Sequence, residues 1–223
     1  MEWSPQQAME AYLDTLQLSK TLHRQDCTNI KATERIEPEC VEFISALAAG
    51  NRSKVILEIS TEGLSPFTIA LAVAAKLTGG RLVCVLPHHR EDMIIKSNNF
   101  ELKPHHEELK NVIEFVVGKN PNEVIKKFKK VDFLVIDCKF GDHLKVWKNN
   151  LEVNPKGCVV VTRNNDVFGS TRKVCFGEIL KGKKGIECVT MPIGEGIELT
   201  KIKSSSCKKE SRRCKRFHVT FEN

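Results

Sequence analysis

No two of the nine cysteines stand as C-x-x-C, and their number is odd, so neither a redox pair nor a fully paired disulfide framework is written into the chain. No stretch approaches the roughly 20 consecutive apolar residues that a membrane-spanning helix needs, and no secretory leader is recognisable near Met1. Aromatic residues are sparse at 6% of the sequence, and none is interleaved with the basic C-terminal run before Phe217, which argues against a stacking platform for single-stranded nucleic acid. No low-complexity break divides the 223 residues, so one main core is expected. Together these absences point to a soluble, reduced, intracellular protein, expected in the cytoplasm and, if the basic tail acts as an import signal, in the nucleus.

What is present is unevenly distributed. Residues 201–216, KIKSSSCKKESRRCKR, hold eight Lys/Arg against the single acid Glu210, which equals the net charge of +7 for the whole chain. Such a segment is either a solvated loop, the commoner case, or a contact for phosphates, an anionic surface or an import receptor. Cys84, Cys138, Cys158 and Cys188 fall within predicted strands and read as small buried hydrophobes rather than metal ligands.

The stretch Val55–Lys76, VILEISTEGLSPFTIALAVAAK, organises the rest. Val55, Ile56, Leu57 and Ile59 form a short, largely β-branched run, which predicts a strand. Ser65 is placed to cap a helix, and Pro66 stands at a first-turn position where its missing N–H costs nothing. From Phe67 to Leu77 nearly every position is apolar, so both sides of this helix are expected to be covered, with Phe67, Ile69, Leu71 and Val73 buried and Gly79-Gly80 as the stop. A bend from a strand end into a helix start aims free N–H groups and a positive dipole end at the crevice where layered α/β folds bind ligands.

Taken in order, Ser4-Pro5-Gln6-Gln7 reads as a capping pattern, with Met9, Tyr12, Leu13 and Leu16 at helical spacing behind it. A second helix is predicted over about Glu37–Ala49, with Val41, Ile44, Leu47 and Ala48 on one face. Strands are predicted at Val55–Ile59, Arg81–Leu86, Asn111–Val117, Val131–Asp137 and Gly157–Thr162, with helices at Arg90–Asn98, Asn122–Lys129 and Gly141–Leu151 between them. Val131–Asp137 is apolar almost throughout, the pattern of a strand buried on both faces and therefore central. Ile186–Met191 and Gly196–Ile202 alternate like a hairpin, and Arg216–Phe221 is a candidate extra strand. The expected architecture is an α/β, doubly wound, Rossmann-like sheet of five parallel strands with an antiparallel end pair and N-terminal helices. The expected divisions are an N-terminal helical arm (1–36), the Rossmann-like domain (37–203) and the basic tail (204–223).

Four segments carry a resemblance: PECVEFISALAAGNRSKVILEIS, LVIDCKFGDHLKVW, PKGCVVV and MPIGEGIELTK. In order and spacing they resemble the landmarks of class I S-adenosylmethionine-dependent O-methyltransferases of the caffeoyl-CoA and catechol branch, in which E-I-G-T-x-x-G-x-S follows strand one, I-D-A-D-K follows strand four and P-I-G-D-G joins the last two strands. The resemblance covers about Pro38–Lys201, and the whole chain is similar to a plant family of unknown function placed near methyltransferases. It implies a methyltransferase-like fold with strand order 3-2-1-4-5 and the antiparallel pair beside strand five, S-adenosylmethionine as candidate cofactor, and Glu58, Ser60, Gly63, Ser65, His88 and Asp137 as its candidate contacts.

The same alignment shows departures. Ser60 stands at the family's glycine and the loop is one residue shorter before Gly63. Leu86-Pro87-His88-His89 replaces the acid that holds the ribose hydroxyls, with Glu91 and Asp92 a few residues on. The cation-binding set is reduced to Asp137, because I-D-A-D-K reads Ile136-Asp137-Cys138-Lys139 and the acid–amide pair after strand five reads Thr162-Arg163-Asn164. No metal site is therefore assigned, and the pairs His88-His89 and His105-His106 add none, since nothing fixes their separation. Asp137, Lys139, His143 and His88 are the candidate catalytic residues, each at or just past a strand end; a solvated loop residue is the bland alternative for the last three. Three readings stay open: a methyltransferase with a degenerate cofactor site and unknown acceptor, a non-catalytic module that binds a nucleotide-like ligand or a protein, and a nucleic-acid binder acting through its tail.

Overall fold

The computed structural model describes residues 2–26, 38–60, 64–87, 104–118, 121–137, 152–163, 185–193 and 196–203. Helices α1 (Pro5–Asp26) and α2 (Pro38–Gly50) precede strand β1 (Val55–Ile59), helix α3 (Pro66–Thr78) and strand β2 (Arg81–Pro87). A 3-10 helix (Pro104–Val112) leads into β3 (Ile113–Gly118), followed by the short helix α4 (Pro121–Ile125), β4 (Phe133–Asp137), β5 (Gly157–Arg163), β6 (Ile186–Met191) and β7 (Ile197–Lys203).

One seven-stranded sheet runs β3-β2-β1-β4-β5-β7-β6. The first five strands are parallel, and β7 pairs antiparallel with both β5 and β6. The order is the one the family resemblance implies, the antiparallel end is the one the alternation predicts, and β4 is central, with all five residues buried. Strand alternation divides the core. Ile56, Leu82, Phe133, Val135, Val159 and Val161 face α3, whereas Leu57, Ile59, Val83, Val85, Leu134 and Ile136 face Val124, Ile125 and Phe128 around α4.

Helix α3 is the buried element expected of it. Phe67, Ile69, Leu71 and Val73 are all in the core, and Gly79 closes the helix in the left-handed conformation at φ 63°. Asp132 fixes the N-terminal edge of the sheet: one carboxylate oxygen accepts the Lys54 and Val55 amides at 2.8 and 2.9 Å, and the other accepts the Asn154 side-chain amide at 2.7 Å.

Four sequence expectations shift. Helix α1 packs on α2 and α3 through Ala8, Ala11, Thr15 and Leu18, leaving Met9, Tyr12 and Leu13 exposed. Small residues win that face because the helices approach closely: the Thr15 hydroxyl donates to Ser45 Oγ at 2.9 Å, and Ser45 Oγ donates to the Ala70 carbonyl at 2.9 Å. Strand three begins at Ile113, since Pro104–Val112 is a 3-10 helix. Regular helix after it ends at Ile125, where the Lys127 and Phe128 amides turn back to Val124 and Ile125, and Lys130 adopts φ 56°. Cys84 and Cys158 are buried as expected, but Cys188 is exposed on edge strand β6. The predicted helices Arg90–Asn98 and Gly141–Leu151, the candidate strand Arg216–Phe221 and Cys138 lie outside the described residues. No described helix is long and apolar enough to cross a membrane.

Candidate functional site

Strand order reverses between β1 and β4, whose connections leave in opposite directions, so their C-terminal ends open the crevice where such sheets bind ligands. Ile59 pairs with Ile136, and one residue further along each chain stand Ser60 and Asp137. Glu58 is on the α3 face of β1, in register with Cys84 on β2 and Val135 on β4; Asp137, two residues beyond Val135, shares that face. Asp137 pairs in turn with Arg163 at the end of β5. Three ionisable side chains thus end on the apolar face beneath the start of α3.

Glu58 is completely buried. Burial pushes its carboxyl up to about 7, against the opposing pull of Arg163 and the Thr68 and Cys84 side chains, while Asp137 adds a smaller push in the same direction. Thr68 and Cys84 lie near enough to favour the charged carboxylate, yet neither Glu58 oxygen reaches good hydrogen-bond geometry among the described residues. Burial together with the neighbouring carboxylate pushes the Cys84 thiol up as well, so it is a thiol, not a thiolate nucleophile.

Arg163 and Asp137 form a buried pair. Arg163 Nη2 donates to Asp137 Oδ2 at 3.2 Å, with side-chain exposures of 4% and 0%. The guanidinium lies 4.4 Å from the centre of the Phe67 ring, on the first turn of α3. This arrangement does not fit the divalent cation that the fold's resemblance implies. An ion touching Asp137 would share its carboxylate with the guanidinium, and two unit charges about 4 Å apart repel by about 4 kcal/mol in a partly screened site, a divalent ion by twice that. Nor do three His, Cys, Asp or Glu side chains converge anywhere among the described residues.

The start of α3 is less open to an anion than the sequence suggests. Pro66 has no N–H, and a reciprocal capping box takes up two amides: Thr68 N donates to Ser65 Oγ at 3.2 Å and Ser65 N to Thr68 Oγ1 at 3.1 Å. Ser60 is buried, its amide donating to the Val85 carbonyl at 3.2 Å. Leu86, where the resemblance puts a ribose-binding acid, is wholly buried, so an aspartate there would bury a charge.

Of the sequence candidates, then, Glu58, Ser60 and Asp137 lie at the C-terminal ends of β1 and β4 and Ser65 caps the start of α3, whereas Gly63, His88, Lys139 and His143 lie outside the described residues. Phe67, Thr68 and Cys84 were not among the candidates, and Arg163 was only a departure from a motif. The available signal was alternation: Glu58, Cys84, Asp137 and Arg163 are the polar or ionisable interruptions of apolar strands on one face.

Comparison with known proteins agrees with this geometry at the level of fold. The chain matches the family described as protein of unknown function (DUF1442) over residues 1–222 and belongs to that family. No match is found among curated proteins. A methyltransferase from Geobacter sulfurreducens is similar in structure, with a TM-score of 0.61 at 19% identity over 88% of this chain and 96% of that one. An O-methyltransferase from Bacillus cereus, in complex with S-adenosylhomocysteine, aligns with a TM-score of 0.60 at 20% identity over 86% of this chain and 90% of its own. A Streptomyces achromogenes O-methyltransferase involved in tomaymycin synthesis, in complex with S-adenosylmethionine, gives 0.56 at 18% identity over 87% and 90%. The fold is that of Rossmann-like methyltransferases.

Proposed function

We propose that this chain is a methyltransferase-like protein that binds S-adenosylmethionine or its demethylated product weakly, at the C-terminal ends of β1 and β4. The observation that carries the reading is the placement of Glu58, Ser60 and Asp137 at the point where strand order reverses, with Ser65 capping the helix that follows β1. The similar structures of Bacillus cereus and Streptomyces achromogenes, which hold S-adenosylhomocysteine and S-adenosylmethionine, support that class of ligand. S-adenosylmethionine, when bound, supplies an electrophilic methyl group. The protein's part in methyl transfer is chiefly to align it with an acceptor. Ser60, Gly63 and Ser65 are the loop contacts and His88 the candidate neighbour of the ribose. Lys139 and His143, on the segment after β4, are the candidate acceptor-side groups. Weak binding follows from three features: the closed capping box, the buried Ser60, and Leu86 in place of a ribose-binding acid.

A second reading, a non-catalytic ligand- or protein-binding module, is favoured by one observation. Asp137, the carboxylate nearest the expected acceptor position, is engaged by Arg163 in the protein interior. Thermal denaturation with S-adenosylhomocysteine separates the two. Saturating ligand at a hundred times its dissociation constant adds about 2.7 kcal/mol, or roughly 5–11 °C at the 2–4 °C per kcal/mol typical of this size. The proposed reading expects a saturable shift that appears only at high ligand concentration, with methyl transfer to an acceptor from a small-molecule panel; a ligand shift without any transfer favours the second reading, and no shift at any concentration removes the first. The basic tail, with its candidate nucleic-acid and import roles, is a separate proposal, tested by the salt dependence of binding to duplex DNA.

A further inference from the structure

The cation implied by the motif resemblance and the arginine found beside Asp137 address the same carboxylate, and the charge of the one opposes the approach of the other. We infer that Arg163 is the fixed cation of this crevice: its guanidinium holds Asp137 in place of a divalent metal, so the protein neither binds such a metal there nor needs one for its ligand. The second half of this inference rests on the reading of the crevice as a ligand site; the first half does not.

Three observations carry it. Arg163 is placed by the sheet itself, since it ends β5 in register with Asp137 at the end of β4, and its guanidinium bonds that carboxylate at 3.2 Å. It also lies over the Phe67 ring, 4.4 Å away on the turn whose capping box pins the start of α3. Its environment is dry, at 4% side-chain exposure, and lies beside Glu58. A hard divalent cation takes six or more oxygens, several of them anionic or from water. Here the first carboxylate is already engaged by a positively charged guanidinium. The guanidinium differs from a metal in one useful respect: it cannot be removed by a chelator or lost by dilution. A ligand oxygen at this end of the sheet would be read by hydrogen bonds and a single permanent charge, not by chelation.

The test uses the full chain, first without any organic ligand. Manganese(II) titration followed by the paramagnetic resonance of the free ion, with melting curves in manganese, magnesium, calcium or EDTA, is expected to show no site-specific uptake and the same midpoint in all four. Saturable manganese uptake by the wild type that disappears in Asp137→Asn would overturn the inference. Arg163→Asp and Arg163→Asn put oxygen donors where the guanidinium lay, and are expected to gain a manganese-dependent rise in midpoint that Arg163→Lys does not show. If both oxygen variants are folded by circular dichroism and neither responds to manganese, the guanidinium is not what excludes the metal, and the inference fails. A second arm titrates S-adenosylhomocysteine in EDTA and in magnesium. Equal affinities support metal independence, a magnesium requirement overturns it, and no binding under either condition removes the ligand reading while leaving the metal result to stand or fall by the first arm.

Discussion

Replacing Glu58 by glutamine probes the interior of the crevice without changing its shape. The carboxyl has an ordinary value of 4.5 and is pushed up to about 7 in the fold, chiefly by burial. Below about pH 4.5 the native and unfolded chains both hold this proton, and burial of the neutral acid carries no charge penalty. Between about 4.5 and 7 the native state keeps the proton while the unfolded chain releases it, so stability falls as pH rises through that window and levels off above it. A displacement from 4.5 to about 7 corresponds to about 3 kcal/mol at 1.36 kcal/mol per unit, and the group is fully buried, so no solvent discount applies. Glutamine keeps the size and loses the titration. Other groups titrate in the same range, so the measured quantity is the difference between the two proteins. Urea unfolding from pH 5 to 8.5 is expected to show Glu58→Gln gaining on the wild type as pH rises to about 7 and holding that gain above it. The total gain is at most about 3 kcal/mol, or roughly 6–12 °C in midpoint for a chain of this size. Loss of Arg163, which lowers the Glu58 pKa, would move the window upward. A difference that stays constant across the range would mean that Glu58 is charged throughout, and the account of its burial would be wrong.

Other perturbations test neighbouring parts of the structure. Leu71→Ala removes a fully buried side chain of α3 and is expected to cost about 2–5 kcal/mol by chemical denaturation; a loss under one would mean that the helix is not the packed centre. Asp137→Ala leaves the Arg163 guanidinium buried without its carboxylate and is expected to cost about 3–5 kcal/mol, whereas an exposed pair would cost less than one. Deleting 204–223 removes six Lys/Arg beyond the end of β7 and is expected to leave the circular dichroism of the sheet unchanged. Fluorescent fusions with and without those residues then test import, and identical distributions would leave the tail without a targeting role.

The fold was legible because its signals are redundant. Phe133–Asp137 is apolar up to its final residue, which only a doubly covered strand tolerates, and Ser65, Pro66, Gly79 and Gly80 punctuate α3 at both ends. The face of α1 was not legible. Apolar periodicity marks Met9, Tyr12, Leu13 and Leu16, but close approach of α2 and α3 selects the small stripe Ala8, Ala11 and Thr15, and the size of a contact partner is not written in the helix that meets it. The site was legible in its members and illegible in its chemistry. Sequence alone places Glu58 and Asp137 at strand ends, but the protonation of one and the pairing of the other depend on register: Glu58 against Cys84, and Asp137 against Arg163. The helix start misled for a related reason. Ser65 was expected to cap, but the return bond from Thr68, which uses up a second donor, needs the folded turn.

The most direct test of the proposed ligand site is an amide-resolved NMR titration of the isotope-labelled chain with S-adenosylhomocysteine. The account predicts weak, fast-exchange shifts that saturate together at Ser60, Ser65, Phe67 and Asp137, the residues at the C-terminal ends of β1 and β4 and the first turn of α3, with the β6–β7 hairpin unmoved. Shifts confined to other parts of the chain, or none at millimolar ligand, would contradict it.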